Sequence, residues 1–314
     1  MPFSSPENTP DSELLRNMTS CTLCPRLCAV DRRVERGFCG MGTLPVVARA
    51  AKHFWEEPCL AGSGGSGAVF FSGCSLRCVF CQNHELSHEG RGEEITAERL
   101  CSLFEALQND GADNIDLVTP THFAPLVARA LSLFAPKKRV PVIWNSSGYE
   151  RAETILRYCE NVDIFLPDLK YVSPALSARY SGAEDYFSYA KEALFAMFSL
   201  VGYPKIENGR MTRGVLIRHL VLPSHSRESL AVIDHLVGRY DPEKLYVSFL
   251  CQYFPAYKAK KYPEIDRRLT TLEYRRVSDY AVKKGIRHGY LQERSSAKEE
   301  YVPTFYDKLP DGTT

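Results

Sequence analysis

From Ala68 onward, short runs of β-branched and aromatic residues alternate with stretches whose apolar positions recur every three or four residues. The runs AVFFS (68–72), IDLVTP (115–120), VPVIWNS (140–146), VDIFLPD (162–168), VLIRHLVL (215–222) and KLYVSFL (244–250) read as six strands. Between them, TAERLCSLFEALQNDG sets Leu100, Leu103, Phe104 and Leu107 on one helical stripe, with Gly111 as its stop. FAPLVARALSLFA, ERAETILRYC, EDYFSYAKEALFAMFSLVG, SRESLAVIDHLVGRY and LEYRRVSDYAVKKG predict five further helices. Strands and helices alternating at this length predict parallel β-α units. Asn208-Gly209 predicts a tight turn leading into the fifth strand. Upstream, VVARAAKHF (46–54) reads as another strand, followed by EEPCLAGSGGSG. There Gly62, Gly64 and Gly67 fit G-x-G-x-x-G, but the run precedes a strand where phosphate binding requires it to open a helix, so it reads as a flexible loop.

The 314 residues suffice for a substantial core, and a net charge of +1 supplies no electrostatic pull toward nucleic acid or an anionic membrane as a partner. No apolar run reaches membrane-spanning length, and MPFSSPENTPDSELL lacks the basic start and apolar core of a signal peptide, which predicts a cytoplasmic protein. In that compartment eleven cysteines predict metal binding before disulfides. Seven fall in two groups; Cys59, Cys101, Cys159 and Cys251 are scattered and read as packing residues. The expected organisation is a mobile tail at 1–13, a cysteine-rich extension at 14–66, a core domain at 67–292 and a C-terminal tail at 293–314.

Directly after the first core strand, Cys74, Cys78 and Cys81 stand in FFSGCSLRCVFCQN with C-x3-C-x2-C spacing. Three thiolates on a 4Fe-4S cubane leave one iron open, and an open position is where a metal centre takes a substrate. Packing cysteines or half a zinc site are the alternatives. The spacing, with Phe80 before the third cysteine, resembles the signature of the radical S-adenosylmethionine (SAM) superfamily. The resemblance implies a partial (β/α)6 barrel of TIM type with a small N-terminal metal-binding extension, a 4Fe-4S cluster whose open iron chelates SAM, and reductive cleavage of SAM to a 5'-deoxyadenosyl radical that abstracts hydrogen. Functional groups of such barrels gather at the carboxyl ends of the strands.

At those ends the sequence offers further groups. After strand two, Thr119-Pro120-Thr121-His122 stands where activating enzymes of pyruvate formate-lyase carry Gly-Gly-Glu; the resemblance leaves a backbone contact to SAM at Thr119 and Thr121. His122 reads as a surface or capping residue ahead of a proton carrier. Asn145, Ser146 and Ser147 in WNSSGYE offer amide and hydroxyl groups at the depth of the SAM ribose, or simply form a turn. Asp168 and Lys170 in LPDLK resemble the D-x-K element that meets the SAM amino and carboxylate groups, with an internal ion pair as the alternative. Arg218 in LIRHLVLPSH lies in an apolar run and needs a carboxylate or a ligand; it resembles a basic residue near SAM. Gln252 and Tyr253 lie in the loop after strand six, from which relatives reach SAM.

The second group, Cys21, Cys24, Cys28 and Cys39, saturates a zinc ion or an iron-sulfur cluster and so forms a closed site. Arg26, Arg32, Arg33 and Arg36 either neutralise that site or face water. WNSSGYE and LPDLKY resemble the uncharacterised group of pyruvate formate-lyase activating enzyme homologs. This implies an activating-enzyme-like oxidoreductase that takes an electron from flavodoxin or ferredoxin and removes hydrogen from a backbone glycine of a glycyl radical enzyme. Known activating enzymes generally lack the four-cysteine segment, so another protein, a peptide or a small molecule is an alternative substrate. A non-catalytic metal-binding or electron-transfer scaffold is the alternative from another class.

Overall fold

The computed structural model describes residues 18–291 and Leu309. The tails expected at 1–13 and, Leu309 aside, at 293–314 lie outside the described residues. Strand β1 (Val46–His53) runs antiparallel into β2 (Ser66–Phe71), and the two-residue β3 (Glu93–Glu94) edges β1. Then β4 (Asn114–Val118), β5 (Val142–Ser146), β6 (Ile164–Pro167), β8 (Arg210–Leu220) and β9 (Tyr246–Leu250) add in sequential order beside β2, all parallel. The short β7 (Lys205–Glu207) pairs antiparallel with β8, and β10 (His288–Leu291) adds a parallel strand beyond β9. A parallel sheet that never reverses its order winds one way, which gives the expected partial (β/α)6 barrel.

Helices α1 (Ala97–Asn109), α2 (Ala124–Phe134), α3 (Ala152–Tyr158), α4 (Pro174–Ser181), α5 (Tyr186–Val201), α6 (Ser226–Arg239) and α7 (Thr271–Lys283) form the crossovers and the outer layer. The α1 stripe is buried as its spacing requires, and Thr96 caps the helix by accepting from the Arg99 amide at 3.2 Å. Asn208 and Gly209, with φ of 51° and 78°, close the β7-β8 hairpin. That hairpin starts β8 five residues before the expected strand, while α4 and β10 are additions to the expected elements. The glycines of the G-x-G-x-x-G run serve close packing: a Cβ on Gly64 or Gly67 would meet the backbone of Gly111 or Asn114.

Alternation along the strands sorts side chains into two cores. Outward residues such as Val142, Trp144 and Phe165 pack beneath the helices, while Ile143, Ile164, Leu166 and Leu216 pack inside the barrel against Cys59 and Leu60 of the segment after β1. Cys59, Cys101, Cys159 and Cys251 are all buried and free of disulfides. Near the carboxyl ends, Glu150 is fully buried and accepts from Thr121 Oγ1 at 2.5 Å, Ser146 Oγ at 2.6 Å and Trp144 Nε1 at 2.9 Å. This one carboxylate ties the loops after β4 and β5 together. Replacing Glu150 with Ala strands three buried donors, each costing about 1–3 kcal/mol. We expect Glu150→Ala to lose about 3 kcal/mol or more in urea denaturation, and Glu150→Gln, which keeps an acceptor, to lose less.

Candidate functional site

The loop after β2 carries Cys74, Cys78 and Cys81 into a cavity of about 320 Å³ at the carboxyl ends of the strands. Its course is fixed by backbone bonds from distant chain: Arg77 N–H to Ser181 O (3.0 Å), Val79 N–H to Tyr180 O (2.8 Å) and Lys258 N–H to Val79 O (2.8 Å). Each sulfur has a polar neighbour. The Leu76 amide donates to Cys74 Sγ at 3.4 Å, Ser181 Oγ lies 3.1 Å from Cys78 Sγ, and Ser87 Oγ lies 3.2 Å from Cys81 Sγ. Burial pushes the thiols up, to about 12 for Cys74 and about 11 for Cys81, so a metal binding here must displace their protons. The donor set fits an iron-sulfur cluster: three soft ligands on one loop, hydroxyl and amide donors to sulfur, and a neighbouring cation in Lys170. Among the described residues no three His, Cys, Asp or Glu side chains are placed as ligands of a single ion. A cubane has no such requirement, because each thiolate binds a different iron.

Asp168 and Lys170 flank the same cavity and pair with each other at 2.5 Å. Burial acts to lower the Lys170 ammonium, but the Asp168 charge and the adjacent sulfurs more than offset it and hold it above its ordinary range. Between them Leu169 turns outward into the core, and its carbonyl accepts from His219 Nδ1 at 2.7 Å, while His219 Nε2 meets Ser229 Oγ at 2.8 Å. Burial drives His219 down to about 4, so it is a neutral brace that sets the strand end. Gly148, at φ +74°, lets the β5 loop pass the Asp168 carbonyl where a Cβ would clash.

The remaining predicted residues divide. Thr119, Asn145, Ser146, Ser147 and Arg218 line the cavity, as do Gln252 and Tyr253. Thr121 is outside the lining, turned to Glu150, and Ser146 also spends its hydroxyl on that carboxylate. The buried hydroxyl of Ser147 has no partner among the described residues. His122 is fully buried, against the surface or capping position expected of it. Its Nε2 donates to Ser72 O at 2.7 Å, and burial lowers it to about 3, so it spaces the end of β2 from its neighbours.

Arg218 finds carboxylates. Its Nε donates to Glu57 Oε1 at 2.9 Å, Nη2 donates to Glu57 Oε2 at 2.5 Å, and Nη2 also bonds Glu56. Burial opposes the guanidinium charge, yet Glu56 and Glu57 raise it well above its usual value. Nearby Asp116, fully buried, accepts from Asn145 Nδ2 at 3.2 Å, and burial with the Glu56 charge lifts its carboxyl well above the ordinary range. The glutamates, Asp116 and the two serines at the sulfurs belong to the candidate site by contact, and the sequence alone did not single them out. An Arg in an apolar run signalled a carboxylate partner, and the EEP segment after β1 supplies it. Ser181 left no local signal, because its cysteine partner is 103 positions away.

The four-cysteine loop sits beside this site. Arg26 Nε donates to Ser75 O at 2.7 Å, and Arg77 reaches Phe38 O, so the two cysteine loops interlock. Arg151 and Thr154 anchor the extension through Thr22 O (2.6 Å) and Leu23 O (2.8 Å).

A family model described as a 4Fe-4S single cluster domain matches residues 60–176, a span that includes the three-cysteine loop, Asp168 and Lys170. The chain is 30% identical over 281 residues to the uncharacterized protein MJ0674 of Methanocaldococcus jannaschii, covering 86% of this chain and 77% of that protein. Among solved structures it is similar to SuiB of Streptococcus suis, with 12% identity and a TM-score of 0.48 over 72% of this chain and 48% of that one. It is also similar to anSMEcpe with bound AdoMet, with 13% identity and a TM-score of 0.44 over 74% and 62% of the respective chains. The chain thus spans about half the length of the solved structures it matches.

Removing one partner of a buried ion pair costs about 3–5 kcal/mol, so Arg218→Met should lower stability by that order. Burial raises the Glu57 carboxyl and Arg218 overrides it, holding the folded value below 4.5. That depressed value contributes stability above the unfolded value, which is lost as pH falls through the folded one. Denaturation across pH 3 to 7 should therefore show a shallower acid loss in Arg218→Met than in the native chain.

Proposed function

The chain belongs to the family that includes the methanogen protein MJ0674, and on that premise we propose that it is a radical SAM enzyme, cleaving SAM to start hydrogen abstraction. The observation that carries the reading is the shared cavity: the three thiols and the Asp168–Lys170 pair line one space. A 4Fe-4S cluster held by Cys74, Cys78 and Cys81 would supply the electron that cleaves SAM to a 5'-deoxyadenosyl radical.

The chain's own residues bind and orient. Asp168 and Lys170 form a plus-minus pair that matches, with reversed sign, the ammonium and carboxylate of the SAM amino-acid moiety. Each member exchanges its internal partner for a charge of SAM. Asn145 and Ser147 present an amide and an unpartnered hydroxyl for the ribose, and Thr119 lies beside them. Thr121 and Ser146 position the loops through Glu150, and Arg218 holds its two glutamates beneath the cavity. Leu76, Phe70, Leu220 and Leu250 give it an apolar wall that keeps water from a reactive radical. Ser87, Ser181 and Lys170 meet the sulfurs' charge.

The target we favour is a protein or peptide segment. Phe54 and Trp55 are more than half exposed, next in sequence to His53 and Glu56 of the cavity lining, and adjacent exposed aromatics suit a polypeptide partner. Activation of a glycyl radical enzyme, with flavodoxin or ferredoxin as reductant, is the specific case; a small-molecule substrate is the alternative. A stable organic radical on an incubated partner supports activation, whereas continuous turnover with stoichiometric SAM use supports the alternative.

Anaerobic reconstitution, reduction and assay of 5'-deoxyadenosine test the chemistry. Native protein should form it, and Cys78→Ala should form none. Lys170→Ala should weaken SAM binding about tenfold or more, the worth of a charged hydrogen bond, with cluster absorbance unchanged. Persistent 5'-deoxyadenosine from the Cys78 variant would falsify the ligand assignment.

A further inference from the structure

We propose that the four-cysteine loop holds a second, closed iron-sulfur centre built against the wall of the first. The same local turn recurs in both loops. At Cys74 and Cys81 the amide two residues on, from Leu76 and Asn83, donates to the sulfur; at Cys24 and Cys39 the amides of Arg26 and Met41 do so. Cys28 Sγ accepts from the Phe38 amide at 3.3 Å. Amide donors aimed at sulfur stabilise thiolate, the form that binds metal. Left-handed backbone at Leu27 (φ 44°) and Ala29 (φ 53°) folds the loop back so that Cys21 exchanges backbone bonds with Val30 and Ala29.

The arginines supply the independent observation. Arg33 and Arg36 are exposed and paired, with Asp31 at 2.6 Å and Glu94 at 3.8 Å. Arg32 is buried, 5% exposed, and its charge bears on Cys39. Its Nη1 donates to His122 O at 2.5 Å and its guanidinium lies over the Phe123 ring at 5.5 Å, as that of Arg26 lies over Phe38 at 3.8 Å, but Arg32 Nε and Nη2, and Nη2 of Arg26, have no hydrogen-bond partner among the described residues. A buried guanidinium facing no carboxylate needs another anion. Four thiolates on an iron-sulfur cluster carry net negative charge and would supply that anion, with Cys39 within reach of the Arg32 charge. Zinc would need the sulfurs around one point, whereas a cubane takes each on its own iron. The two centres would be neighbours: Gly73, at φ +84°, has no room for a Cβ because of the Met41 side chain and the Cys39 carbonyl, and it immediately precedes Cys74.

The test uses the full chain and no SAM, so its outcome is independent of the function proposed above. Anaerobically prepared native protein should hold about eight iron and eight sulfide per chain, and the variant with Cys74, Cys78 and Cys81 all changed to Ala about four of each, as two cubanes require. On reduction that variant should show an electron paramagnetic resonance signal, and Arg32→Met should move the midpoint of this signal to lower potential, since a positive charge favouring the reduced centre is lost. Zinc in the second site, or native protein with only four iron, overturns the proposal whether or not the triple variant folds. An unmoved midpoint in Arg32→Met overturns the counter-charge assignment.

Discussion

A guanidinium inside a barrel cannot stand alone, and meeting the charge of Arg218 organises much of this molecule. The carboxylates that meet it come from the segment directly after β1, 161 and 162 positions earlier in the chain. Bringing Glu56 and Glu57 under Arg218 draws the antiparallel β1 onto the edge of the parallel sheet and seats Cys59 and Leu60 in the barrel interior. The interior is thereby sealed from below and open above, at the carboxyl ends. An ion pair with side-chain exposures of 16%, 8% and 6% forms the floor of the cavity.

Above that floor the rim is built from loops that fix one another. Glu150 holds the loops after β4 and β5, His219 holds the β6 end through Leu169, and the cysteine loop is stitched to the end of α4. No one of these contacts belongs to a single element, so the rim is rigid only when the whole barrel is formed. Rigid placement of the groups that meet a cofactor is what differential binding of a transition state requires.

The parallel strands, buried on both faces, are legible as short β-rich apolar runs, and most helices by their period-3.6 stripe. The α4 helix carries only end signals in the sequence: Ser173 as cap, Pro174 at the first position and Gly182 in left-handed conformation at the end. Its eight residues carry little apolar stripe, so periodicity does not mark it. β10, HGYL, has too few apolar residues to stand out and owes its place to β9. In the candidate site, the cysteines and the Asp168–Lys170 pair are readable because each group falls within a few positions of the sequence. Thr121 and Ser146 look like ligand groups in sequence; their preference for Glu150 depends on a buried carboxylate whose role only tertiary packing reveals.

The stitching of the cysteine loop also dictates an order of events during synthesis. Cys78 leaves the ribosome more than a hundred residues before Ser181, and Val79 waits longer still for Lys258. Until those segments arrive, the three thiols occupy a loop with no wall behind it. A nascent chain therefore exposes soft, oxidisable ligands before it owns the pocket that protects them, and cluster delivery falls late, after nearly the whole barrel has been translated.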